Sequence, residues 1–138
     1  MKNKLLISLL LTSYLFGSSY DDAIDLYKQN KFKEASKLFT KAANNGNLES
    51  AYILGYLYTG GIGVKPDLKK AVKWYKKAAN GGHTNAQINL GWAYIGGQGV
   101  KVDYTKAAYW IKKAKDKGNK KAQVMWNEFK LDRYWNKK

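Results

Sequence analysis

Residues 54–79 read LGYLYTGGIGVKPDLKKAVKWYKKAA, and residues 90–115 read LGWAYIGGQGVKVDYTKAAYWIKKAK. Laid one above the other, they align Leu54-Gly55 with Leu90-Gly91, Tyr58 with Tyr94, and Gly61-x-Gly63-Val64 with Gly97-x-Gly99-Val100. The register continues through Asp67 and Asp103, Lys70-Ala71 and Lys106-Ala107, Trp74 and Trp110, Lys77-Ala78 and Lys113-Ala114, and Gly82 and Gly118. The offset is 36 residues at every match. A fixed period of this length is the mark of a stacked repeat whose single unit cannot bury its own apolar face.

Within the unit the apolar spacing predicts two helices. Ala51, Leu54, Gly55 and Tyr58 fall on one face, and Leu68, Ala71, Tyr75, Ala78 and Ala79 on another. The small residues Gly55 and Ala71 allow the pair to approach closely. Asp67 and Asp103 are expected N-caps of the second helices, and Gly60-Gly61 and Gly96-Gly97 the stops of the first. Upstream, Ala23, Leu26 and Tyr27, then Asn30, Phe32, Ala35, Phe39 and Ala42, repeat the logic with a shorter turn, as in a tetratricopeptide-type hairpin. Downstream, Ala122, Met125, Trp126 and Phe129 predict one more amphipathic helix, and Lys130 and Arg133 replace the expected Tyr and Gly. Loss of the motif there marks a terminal cap. The expected fold is all-α, a right-handed α-solenoid of helix-turn-helix repeats. Its units are a hairpin at 20–46, repeats at 47–82 and 83–118, and a capping helix over 119–138.

The first residues read as a targeting segment. Lys2 and Lys4 form a positive start, residues 5–16 a Leu-rich run, and Gly17-Ser18-Ser19 a small-residue tail, which predicts a signal peptide over 1–19. The run is shorter than the roughly 18–20 apolar residues of a membrane span, so no transmembrane segment is expected after cleavage. A retained N-terminal anchor is the competing reading. Export leads to the periplasm or beyond the cell. The chain has no Cys, so helix packing and its five Trp and eleven Tyr must supply stability without disulfides.

The formal net charge is +15, from 25 basic and 10 acidic residues. Arg133 is the one Arg, and bidentate phosphate reading is mostly Arg chemistry. No nucleic-acid partner is expected on that ground. The Lys surface remains open to anionic envelope material.

No reaction centre can be drawn from the residues. The Gly-rich loops at 60–63 and 96–99 lack Gly-Lys-Ser/Thr and follow no predicted strand, so they are turns and not phosphate cradles. His83 is the one His and is expected in a loop; with scattered carboxylates and no Cys, neither a metal site nor a nucleophilic triad assembles. No cofactor, metal or catalytic residue is assigned. At about 100° per residue, Tyr52, Tyr56 and Thr59 lie on the outer face of a first helix, with Ile88, Trp92 and Ile95 one period on and Val124, Glu128 and Leu131 two periods on. These either line a partner-binding concave groove, with Tyr56 and Trp92 foremost, or pack against the preceding repeat. Trp74 and Trp110, flanked by Lys70, Lys77, Lys106 and Lys113, either pack between repeats or grip an anionic polymer.

From Ser50 to Gly118 these residues resemble the Sel-one-like repeat family, a relative of the tetratricopeptide repeats, with its pattern A-x-x-x-L-G-x-x-Y-x-x-G-x-G-V-x-x-D-x-x-K-A-x-x-W-x-x-K-A-A-x-x-G. The resemblance implies a helical solenoid that binds a protein or peptide partner, here an exported interaction module. The chain is also similar to the exported cysteine-rich branch found in Helicobacter, which places two Cys eight positions apart across each repeat junction. Here those positions hold Ala43 and Ala51, Ala79 and Gln87, and Lys115 and Gln123. That branch carries a β-lactamase or penicillin-binding label, the enzymatic alternative. The serine enzymes of that class need Ser-x-x-Lys and Lys-Thr-Gly, and this sequence has neither.

Overall fold

The structure, a computed structural model, describes residues 19–135, and apart from Ser19 the segment read as a signal peptide lies outside the described residues. Residues 19–28 form α1, followed by α2 (Phe32–Asn44), α3 (Leu48–Gly60), α4 (Leu68–Asn80), α5 (Thr84–Gly96), α6 (Tyr104–Asp116), α7 (Lys120–Glu128) and α8 (Asp132–Trp135). From α2 to α7 each helix packs on the next, and Tyr20 and Tyr27 of α1 meet Phe39 and Phe32 of α2, so the pairs α1/α2, α3/α4 and α5/α6 stack as a helical repeat solenoid. No helix among the described residues is long and apolar enough to cross a membrane.

The helices begin and end where local chemistry dictates. Asp67 and Asp103 accept the Lys70 and Lys106 backbone N–H groups, each at 2.9 Å, while Gly61 and Gly97 close α3 and α5 in the left-handed conformation at φ 66°. The short first turn passes through Asn30, at φ 60°, a residue that tolerates that region. The Lys106 N–H, ahead of the Lys106 ammonium, holds the Asp103 carboxyl below its ordinary range, against the opposing effect of burial. A depressed carboxyl stabilises the fold above its unfolded-state pKa and loses that contribution as pH falls through the folded-state value. Asp103→Ala should therefore cost about 1 kcal/mol at neutral pH. The difference in denaturant midpoint between wild type and variant should close in strong acid.

A continuous core runs from Ala23 through Phe39, Leu54, Tyr75 and Leu90 to Trp110, and a second cluster joins Ile88, Ile111, Met125 and Leu131 at the C-terminal end. Gly55 matters because a Cβ there would overlap the Tyr75 ring, and Gly91 meets the Ile111 side chain in the same way. The close approach thus admits a large side chain from the second helix, one turn beyond Ala71. The Gly-x-Gly loops do more than turn the chain. Gly63 lies against the Phe32 backbone and Gly99 against that of Leu68, so each loop seats on the first turn of the preceding repeat's second helix.

Two expectations need correction. Leu68, placed on the core face of α4, is exposed, because it sits on the first turn beneath the Gly99 loop and the buried stripe starts at Ala71. The single capping helix is broken: α7 stops at Glu128, Lys130 takes φ 48°, and α8 turns back onto α6. Leu131, expected on the outer face, is therefore fully buried, while Val124 is exposed.

Candidate binding groove on the first-helix face

The first helices α3 and α5 present Tyr56 and Trp92 at equivalent positions, 50% and 37% exposed. Between them opens a cleft of about 340 Å³. Ala71, Val72 and Tyr75 form its floor, and Thr59, Asn89 and Gln98 supply polar groups. The Thr59 hydroxyl donates to the Gly55 carbonyl at 2.8 Å and lies 3.4 Å from the Tyr75 hydroxyl. Burial pushes the Tyr75 phenol above its ordinary value, against the effect of hydrogen bonds with Thr59 and Asn89. Burial, then Glu49 and Tyr56, raises Tyr52 likewise, with Asn89 again acting against. Both phenols stay neutral at physiological pH, and the cleft is lined by uncharged residues throughout.

Tyr56 also lines a second, more apolar cleft of about 250 Å³ with Ile24, Tyr27, Phe39, Tyr52 and Ile53. It forms the ridge between the two clefts. Together they make one aromatic groove from α1 to α5. Of the residues singled out in the sequence, Tyr56, Thr59 and Trp92 share the first cleft, and Tyr52 stands in the second. Ile88 departs from the expectation: it is 2% exposed and packed with Ile111, Met125 and Leu131, closed off from any partner by α6 and the cap. Ile95 is half-buried between the two core clusters. Trp92 packs edge-on against Phe129, ring centroids 5.3 Å apart.

Asn89 and Gln98 carried no signal in the motif, since their counterparts Ile53 and Ile62 are apolar. His83 lies in the loop before α5, as expected, and is held there by two hydrogen bonds. Its Nδ1 accepts the Ala86 N–H at 3.2 Å as the N-cap of α5, which leaves Nε2–H to donate to Glu49 at 2.8 Å. The ring also stacks on Tyr52 at 4.5 Å, so His83 braces the groove wall. The equivalent caps, Asn47 and Asn119, were the available clue, because both occupy the same position one period away. Among the described residues no group of three or more His, Cys, Asp or Glu could hold a metal ion.

A Sel1 repeat profile matches residues 14–47, 48–83 and 84–119. Among solved structures, the chain is similar to a Sel1 repeat protein from Oxalobacter formigenes, with 31% identity and a TM-score of 0.74 over 83% of this chain and 45% of that one. It is also similar to a protective antigen of uropathogenic Escherichia coli with an SLR fold, with 32% identity and a TM-score of 0.73 over 78% of this chain and 24% of that one. This chain thus spans less than half the length of either protein. Helicobacter pylori cysteine rich protein B shares the fold at 21% identity and a TM-score of 0.64, over 80% of this chain and 93% of that one. No curated protein matches the chain in sequence. At the junction where the cysteine-rich resemblance pairs positions 79 and 87, Gln87 Nε2 here donates to the Ala79 carbonyl at 3.2 Å, a hydrogen bond in place of a disulfide. Three consecutive repeats from residue 14 to residue 119, carried on a stacked array of helix pairs, make this chain a member of the Sel1 repeat family.

Proposed function

We propose that this chain is an exported interaction module whose first-helix groove receives an extended segment of a partner protein in the cell envelope or outside the cell. Sel1 repeat proteins are protein–protein interaction scaffolds, and the exposed aromatic groove supports assigning that role to the first-helix face. The observation that carries the reading is the pair Tyr56 and Trp92, exposed over an uncharged cleft with amide and hydroxyl groups at its sides. Aromatic side chains on rigid helices supply large contact area at little entropic cost and dominate binding energy at such surfaces. Asn89, Gln98 and Thr59 offer the donors and acceptors that a peptide main chain requires.

The test is a peptide-display selection against the chain, followed by affinity measurement on the selected sequences. Tyr56→Ala with Trp92→Ala is expected to weaken binding by about 30-fold or more, equivalent to roughly 2 kcal/mol. Little change is expected at 1 M salt, where the screening length is about 3 Å. Equal binding by wild type and double variant, with unchanged circular dichroism, would overturn the groove. Export is tested separately by recovering the protein from the envelope fraction with an N-terminus at Tyr20.

A further inference from the structure

From α2 to α6 the charges are sorted by helix. α3 carries one charged side chain, Glu49, and α5 none, whereas α2, α4 and α6 carry three, five and four lysines. The lysines of α4 lie on the side turned from the groove, since its cleft-facing residues are Leu68, Ala71, Val72 and Tyr75. Lys41, Lys77 and Lys113 occupy the same position in successive repeats, one per second helix, and all three are exposed. The described ion pairs engage Lys70, Lys106 and Lys112 on these helices and leave that row unneutralised.

Two members of the row are held in place by rings. The Lys77 ammonium lies 5.5 Å from the Trp74 ring centroid, and the Lys113 ammonium lies 5.0 Å from that of Tyr109 and 5.8 Å from that of Trp110. A cation fixed over an aromatic face has less freedom to lose when an anion arrives. Beside Trp74 lies a recess of about 350 Å³ walled by Asn44, Lys70, Lys73 and Lys77.

The geometry points to a docking surface for a linear anionic polysaccharide running across α2, α4 and α6, on the flank opposite the groove. This inference is independent of the groove reading. A row of cations at the repeat period, two of them held by rings, suits a chain whose charges also recur. The rings suit a bilayer poorly, because Trp110 is 8% exposed and Trp74 is half-buried, and Tyr109, 43% exposed, is the one of the three with apolar surface to insert. Nor do they suit a single-stranded nucleic acid, whose bases need free aromatic faces, because neither Trp74 nor Trp110 is exposed. No Arg stands on these three helices.

The experiment measures binding of the full chain to labelled polygalacturonate, its trisaccharide, phosphatidylglycerol vesicles and a thymidine oligomer, by anisotropy or sedimentation at moderate salt. Wild type should bind the long polyuronate best and the trisaccharide weakly. Lys41→Gln/Lys77→Gln/Lys113→Gln should lose about tenfold in affinity. Lys65→Gln/Lys101→Gln/Lys121→Gln, an equal loss of charge at exposed positions off these helices, should lose no more than about twofold. Equal losses in the two triple variants would reduce the effect to net charge and overturn the proposal. So would tighter binding of vesicles or oligonucleotide than of polyuronate, or no binding at all.

Discussion

Gly99→Ala is expected to destabilise the protein by about 3 kcal/mol or more, although it adds one methyl group to a surface loop. Two effects combine. Gly99 has φ 72°, a conformation that costs an L-residue roughly 1–2 kcal/mol. The new Cβ would also overlap the Leu68 carbonyl and press on the Lys69 nitrogen, both backbone, so no side chain can swing aside. Overpacking of this kind adds about 1–3 kcal/mol. Gly118→Ala separates the two effects, because Gly118 has φ 82° and nothing within 4 Å of its Cβ position. It should cost only the conformational part. Urea unfolding of both variants gives the comparison, and equal losses would show that the Gly99 loop contact contributes nothing.

Phe39→Ala should cost about 3–5 kcal/mol, the range for a buried aromatic, and the damage should stay local. Phe39 is fully buried, and Tyr20 and Tyr27 surround its ring at centroid distances of 6.2 and 6.4 Å. It also floors the apolar cleft beside Tyr56. In a stacked array each unit leans only on its neighbours, so loss of this ring should free α1 and α2 while the units around α5 and α6 persist. Hydrogen exchange read by mass spectrometry should show fast exchange over residues 19–44 and near-native protection in α5 and α6. Uniform loss of protection would mean that the array unfolds as one body.

The architecture could be read from the sequence because its determinants lie within one period. The Asp67 and Asp103 caps and the Gly61 and Gly97 stops are local, and the structure places them where the motif does. What escaped depends on neighbours that a single helix does not reveal. Ile88 and Tyr52 share a position, yet the cap closes over the isoleucine while the tyrosine keeps a half-open place against His83. The break at Lys130 was hidden because the apolar period of α7 runs on through Phe129, and only burial of Leu131 shows why the chain must turn back. His83 lies in the loop before α5, as expected, but its bonding was hidden because its partners Glu49 and Ala86 lie in different helices. Asn89 and Gln98 became visible as groove residues only once α3, α4 and α5 were side by side.

The seating of each glycine loop on the repeat before it gives the array a polarity of plug and socket. Phe32 and Leu68 are sockets, and Gly63 and Gly99 the plugs that fill them. The third socket is Tyr104, at the start of α6, where the next plug would arrive from position 135, and that residue is Trp135. Instead the ring of Tyr134, one residue earlier in α8, stacks on Tyr104 at 5.1 Å. Tyr134 thus occupies the place at Tyr104 that a further glycine loop would need. A duplicated 36-residue block inserted before the α5/α6 pair, by contrast, would bring its own plug and leave behind a socket of the right shape. The reach of the array can thus change while every plug and socket contact is kept.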